Sequence, residues 1–177
     1  NQHRNLIIVE KNAEFSIIIC DHALSPQKFL TNAVTEAFVG ENSHFDIIRV
    51  QNEHNAACKI THTFIHQEKN SVASSNNMTL HGGLIRNSTY HYLGGEGAEC
   101  YSYGLYLADK WQHIDNFVNV DHAFPHCTSN QLFKGVLDDM STGAFNGRIL
   151  VRPDAQGTLA YQKNNNILLT DDAKMDT

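Results

Sequence analysis

The sequence predicts an all-β chain, a parallel β-helix in which short strands coil and stack. Two observations carry that expectation. A turn word, made of a polar pair, a Gly, Asn or Asp, a small residue and a resumed strand, keeps returning. It reads Lys11-Asn12-Ala13-Glu14-Phe15, Glu41-Asn42-Ser43-His44-Phe45, Lys69-Asn70-Ser71-Val72 and Glu96-Gly97-Ala98-Glu99-Cys100. Its small residues, Ala13, Ser43, Ser71 and Ala98, fall roughly 27 to 30 positions apart, the near-constant period of a solenoid with about one rung per period. The segments between the words are too short for helices and rich in β-branched residues, so they read as strands.

Taken in order, Phe15-Ser16-Ile17-Ile18-Ile19 and Phe45-Asp46-Ile47-Ile48-Arg49-Val50 follow the first two words as strands. Between them, residues 26–38 offer the one helical pattern, with Ser25 as cap and Pro26 in the first turn. A helical solenoid would need paired segments of that kind in every repeat, and the rest of the chain lacks them. Towards the C-terminus, Asp139-Met140-Ser141-Thr142-Gly143, Pro153-Asp154-Ala155-Gln156-Gly157 and Asp171-Asp172-Ala173 are turn clusters. They interrupt strand formers such as Arg148-Ile149-Leu150-Val151 and Ile167-Leu168-Leu169. Asn is frequent at the turns, Asn164-Asn165-Asn166 included, where stacked side chains can hydrogen-bond along the coil.

Composition bounds the rest. With 177 residues, 41% hydrophobic and 18% charged, residues 1–177 make one domain with a sizeable core. A net charge of -6 without a block of Lys or Arg argues against nucleic acid as a partner. No apolar run approaches the roughly 20 residues of a membrane-spanning helix and no leader opens the chain, so it reads as soluble. Cys20, Cys58, Cys100 and Cys127 lie far apart with no CxxC pair, which fits a reducing cytoplasm rather than a disulfide framework. The N-x-S/T sequons at Asn77 and Asn87 are chance matches in an Asn- and Thr-rich chain. Opening on Asn1 and stopping at Thr177 after a strand-turn pattern, the chain reads as an excised core.

Several words of the second half are specific. His113-Ile114-Asp115, Val120-Asp121-His122, Pro125-His126-Cys127-Thr128-Ser129, Phe133-Lys134-Gly135-Val136-Leu137 and Phe145-Asn146-Gly147-Arg148-Ile149 together resemble the SufB/SufD family of iron-sulfur cluster assembly proteins. Thr158-Leu159-Ala160-Tyr161-Gln162 and Asn164 to Leu169 continue the match towards the SufD branch. The specific resemblance begins at Gly94 and covers about half the chain. It implies a right-handed parallel β-helix that is a scaffold and not an enzyme, paired with a SufB-like sister subunit and working with the ABC-type ATPase SufC. It also implies no cofactor in the isolated core and an iron-sulfur cluster held only transiently in the complex. The flanking helical regions of the family, one of them the implied SufC contact, lie outside residues 1–177, as does the family's Cys-x-His-Gly word. Without those flanks, the exposed coil ends are expected to pair copies into a homodimer through the β-helix. In agreement, no G-x-x-x-x-G-K-[S/T] phosphate loop occurs, and Gly94-Gly95-Glu96-Gly97 lacks the lysine and sits at a rung turn.

Candidate chemistry rests on few residues. An iron-sulfur cluster needs about four gathered thiolates, and counted from the preceding turn words Cys20, Cys58 and Cys100 fall in different columns. Buried, inert cysteine is the competing expectation for each. Cys127 beside His126 is the first to test, and His122 with His126 could supply metal nitrogens, with Asp121 and Asp115 orienting them. Pro125 between the two histidines excludes a helical ligand pair. His62 and His66 carry a weaker version of the same pattern. Two alternative classes stand beside the scaffold. A carbohydrate-active β-helix enzyme would need carboxylates converging on a groove, whereas Asp138, Asp139, Asp171 and Asp172 sit in turns. A metal-binding cupin would need a His-x-His that is absent.

Overall fold

A computed structural model describes residues 1–22 and 27–177. Among the described residues thirteen strands alternate between two parallel sheets. The first sheet takes β1 (Gln2–Val9), β3 (Phe29–Val39), β5 (Ala57–Gln67), β7 (Leu84–Leu93), β9 (His113–His122), β11 (Thr142–Val151) and β13 (Lys174–Asp176). The second takes β2 (Glu14–His22), β4 (His44–Asn52), β6 (Val72–His81), β8 (Glu99–Ala108), β10 (Thr128–Leu137) and β12 (Leu159–Leu168). One strand from each sheet makes a rung, and each rung stacks on the last in the order of the sequence. The solenoid expectation therefore holds, with each period of the turn word equal to one two-stranded rung.

The expected helix over residues 26–38 is corrected: Phe29–Val39 is strand β3, paired with β1 and β5. Ser25 and Pro26 lie outside the described residues. The physical reason is a period of two, since Thr31, Ala33, Thr35, Ala37 and Val39 are buried in alternation with outward residues. Those five inward side chains are small or β-branched, which suits a narrow interior between facing sheets.

The turn words divide into two corners. At the first corner, Asn12, Asn42, Asn70, Gly97, His126 and Gly157 all have positive φ, between 54° and 71°. The N–H groups of the first five each donate to a carbonyl of the next rung's turn: Asn12 to Glu41, Asn42 to Lys69, Asn70 to Glu96, Gly97 to Pro125 and His126 to Gln156. Asn tolerates this left-handed conformation and adds a ladder, with Asn42 Nδ2 donating to Asn12 Oδ1 and Asn70 Nδ2 to Asn42 Oδ1. The expected Asn stacking is thus present at the corner. It does not extend to Asn164-Asn165-Asn166, which lie in strand β12 and not in a turn. The clusters at 139–143 and 171–173 belong to the second corner, where Lys110 and Asp139 take the left-handed conformation.

Large and small residues interlock along the interior columns. Gly104 lies against the Phe133 ring, and a Cβ there would sit 2.2 Å from two ring carbons. Gly135 makes the same room for the ring of Tyr106, which is 1% exposed. These close approaches explain why the Phe133 to Leu137 word carries its glycine. Apolar clusters fill the first-corner side, with Val9, Val39, Phe45, Ile47 and Ile65 in early rungs and Leu93, Cys100, Val120, Phe133 and Phe145 in later ones.

Candidate functional site

The interior is unusually polar, and its polar groups are organised. Asn87 is a hub: its Oδ1 accepts from Gln51 Nε2 at 3.0 Å and Thr61 Oγ1 at 2.7 Å. Its Nδ2 donates to Gln51 Oε1 at 3.0 Å and Asn116 Oδ1 at 3.3 Å. Thr79 Oγ1 closes the ring on Gln51 Oε1 at 2.6 Å. This Asn87 is 2% exposed, so its sequon is sealed from modification. Nearby, Ser75 Oγ lies 3.2 Å from His91 Nε2 and 3.0 Å from Ser102 Oγ. Burial alone drives His91 down to about 4 from its ordinary 6.5, because the interior disfavours the charged ring.

At the β1 and β2 end, a cavity of about 470 Å³ holds an ionic network that sequence reasoning missed. Lys59 Nζ is 2.6 Å from Asp21 Oδ1 and 3.0 Å from Glu53 Oε1, while Arg49 Nη1 is 3.0 Å from Asp21 Oδ2. Four charges this buried persist only when mutually paired. The available signal was alternation: Asp21, Arg49, Glu53 and Lys59 all occupy inward positions of their strands or corner.

The residues singled out from the sequence separate in space. His122 ends β9 pointing inward, fully buried, with Nε2 2.9 Å from Ser129 Oγ and Nδ1 unpartnered. Burial lowers its pKa, opposed by the nearby Asp121 charge. His126 is exposed in the left-handed column of the first corner. Cys127 takes the small inward slot of its turn word, in the column of Ala13, Ser43, Ser71 and Ala98, and its thiol donates to Gly95 O at 3.3 Å. The 29-position step from Ala98 would have placed it there from sequence. Burial raises its pKa, as it does for Cys100.

Asp121 and Asp115 do not orient the histidines, which corrects that expectation. Both face outward: Asp121 accepts two hydrogen bonds from Arg152, whose guanidinium lies 5.5 Å over the Tyr92 ring, and Asp115 pairs with Arg86. His62 and His66 lie on the outer face of β5 within an aromatic ladder, His62 6.4 Å from Phe64 and His66 4.8 Å from Tyr92.

All four cysteines are free. Cys100 and Cys127 are buried, as the inert reading expected, whereas Cys20 is exposed and Cys58 half-buried. Cys20 pairs in register with Val50 in the second sheet and Cys58 with Leu30 and Leu84 in the first. Among the described residues no three of His, Cys, Asp and Glu converge as metal ligands. Nor is any helix among them long and apolar enough to cross a membrane.

Among the described residues β12 is the last strand of the second sheet, paired with β10, and β13 pairs with β11 from Thr142 to Ala144.

Comparison with known proteins gives this architecture a context. The family model described as SUF system FeS cluster assembly, SufBD core domain, matches residues 1–177. An iron-sulfur cluster assembly SufBD family protein of Mycobacterium leprae is 35% identical over 116 residues, 62% of this chain and 30% of that protein. One of Synechocystis is 29% identical over 184 residues, and the iron-sulfur cluster assembly protein SufD of Escherichia coli 26% identical over 175 residues. Each of those two alignments covers 99% of this chain and 41% of the relative, so the chain spans less than half the length of the relatives it matches. Matched by the core-domain model from end to end, the chain belongs to the SufB/SufD family of SUF-system iron-sulfur cluster assembly proteins.

Proposed function

We propose that the chain is the β-helix core of a non-catalytic scaffold subunit that pairs with a SufB-like sister and works with a SufC-type ATPase in the cytoplasm. The observation that carries this reading is the match of the SufBD core-domain model over residues 1–177, a chain folded as a coil of parallel strands. The interior supports a structural role, since its ionisable groups are locked in mutual pairs or held neutral by burial. The iron-sulfur cluster is cargo on this reading, assembled with thiolates from more than one subunit. Nucleotide hydrolysis comes from the partner, contacted through parts of the relatives' length that this chain does not span.

Affinity capture of the complete protein from its own host, with stoichiometry by mass spectrometry, tests the proposal. A sister coil and an ABC-type ATPase in near-equal amounts are expected. Recovery of the protein alone, at concentrations where such complexes hold, would overturn it.

A further inference from the structure

At the second corner, the chain's single tryptophan, Trp111, is 74% exposed. Register places Met140 and Asp172 beside it in the next two turns, because Thr142 N–H donates to Gln112 O and Lys174 N–H to Ser141 O. Lys110, Trp111, Asp139, Met140, Thr170 and Asp172 line a surface cleft of about 330 Å³. Met140 is 47% exposed.

The frame beneath this apolar pair is rigid. Lys110 N–H donates to Asp139 Oδ2 at 3.0 Å, Met140 N–H to Lys110 O at 2.9 Å and Thr170 Oγ1 to Asp139 O at 2.7 Å. The preceding turn is shortened to Gly82-Gly83, leaving no side chain to fold over the indole. Gln112 spans that shortened turn instead, donating to Asn55 Oδ1 at 2.7 Å. Trp111 and Met140 thus stand in place with little ordering left for a partner to impose.

Charge decides the occupant. Asp139 and Asp172 line the cleft with Lys110, and Asp109, Asp138 and Asp171 adjoin these lining residues in sequence, as does Lys174 two positions beyond Asp172. Asp109 has Lys110 Nζ at 3.3 Å, and Asp138 and Asp139 accept backbone N–H groups. Asp171 and Asp172 have no side-chain partner among the described residues. Such a rim repels nucleic acid and anionic lipid and attracts cations, for which an exposed indole is the best aromatic platform.

We propose that this corner docks a cationic protein segment, one bearing Lys or Arg around an aliphatic or aromatic anchor that seats on Trp111 and Met140. The inference stands apart from pairing with a sister subunit and survives or fails independently of it.

The lone tryptophan is its own reporter. A synthetic peptide of alternating Lys-Lys and Leu-Leu pairs, titrated into the 177-residue chain, should produce a saturable blue shift of Trp111 emission. The D171N/D172N variant should bind about three- to tenfold more weakly, the size expected for two surface charge pairs. D154N, at the other corner, should bind as wild type does. Calorimetry on Trp111→Ala should show a loss of more than about tenfold, as for an aromatic anchor. Four results would each overturn the proposal. They are equal binding of a control peptide with every Leu replaced by Ser, and no shift at millimolar peptide. The others are the same shift from phosphatidylserine vesicles, and a shift on concentrating the chain alone, which would make a second copy the occupant.

Discussion

Acidification should destabilise the coil through a group that is invisible at its surface. His91 is buried beside Ser75 and Ser102, and its folded pKa of about 4 lies below the ordinary 6.5. A base held neutral in the fold and free to charge when unfolded contributes stability that is full above pH 6.5. That contribution is lost as pH falls towards 4, because the unfolded chain then binds the proton that the fold refuses. At about 1.4 kcal/mol per pH unit, the displacement amounts to about 3 kcal/mol across that window. His122, lowered for the same reason, adds in the same direction. Urea unfolding at pH 7, 6, 5 and 4 should show wild type losing about 3 kcal/mol more than His91→Gln, which keeps a hydrogen-bonding group and cannot titrate. Identical pH profiles for the two proteins, or a His91 ring titrating near 6.5 by NMR in the folded state, would refute the reasoning.

Other consequences are equally direct. Asn87→Ala should cost about 3 kcal/mol in chemical denaturation, because Gln51, Thr61 and Asn116 lose a shared buried partner. Gly104→Ala should cost about 1–3 kcal/mol, since the Phe133 ring it would strike is itself enclosed and has no room to swing away. Thiol labelling of the native chain should modify Cys20 quickly and leave Cys100 and Cys127 untouched until unfolding. Rapid native labelling of Cys127 would place it outside the small-residue column.

The coil was legible because its turns are chemically expensive to vary. A left-handed residue followed by a small inward one admits few side chains, so Asn42-Ser43, Asn70-Ser71 and Gly97-Ala98 repeat visibly. His126-Cys127 performs the same two jobs with unusual residues, and for that reason it looked like chemistry before it looked like a corner. β3 was misread because a run of Thr, Ala and Val carries the alternation of a strand without large residues to announce it. The interior network was only partly legible. Alternation puts Lys59, Glu53, Arg49 and Asp21 at inward positions, but only register brings them together, and hydrogen bonds such as Gln51 to Asn87 join residues of different strands.

Hydrogen exchange over the coil tests the central claim most directly. In the complete protein, backbone amides within residues 1–177 should slow markedly when the sister subunit is added. Protection appearing only outside residues 1–177, with the coil's amides unchanged, would contradict the account and move the subunit contact off the coil.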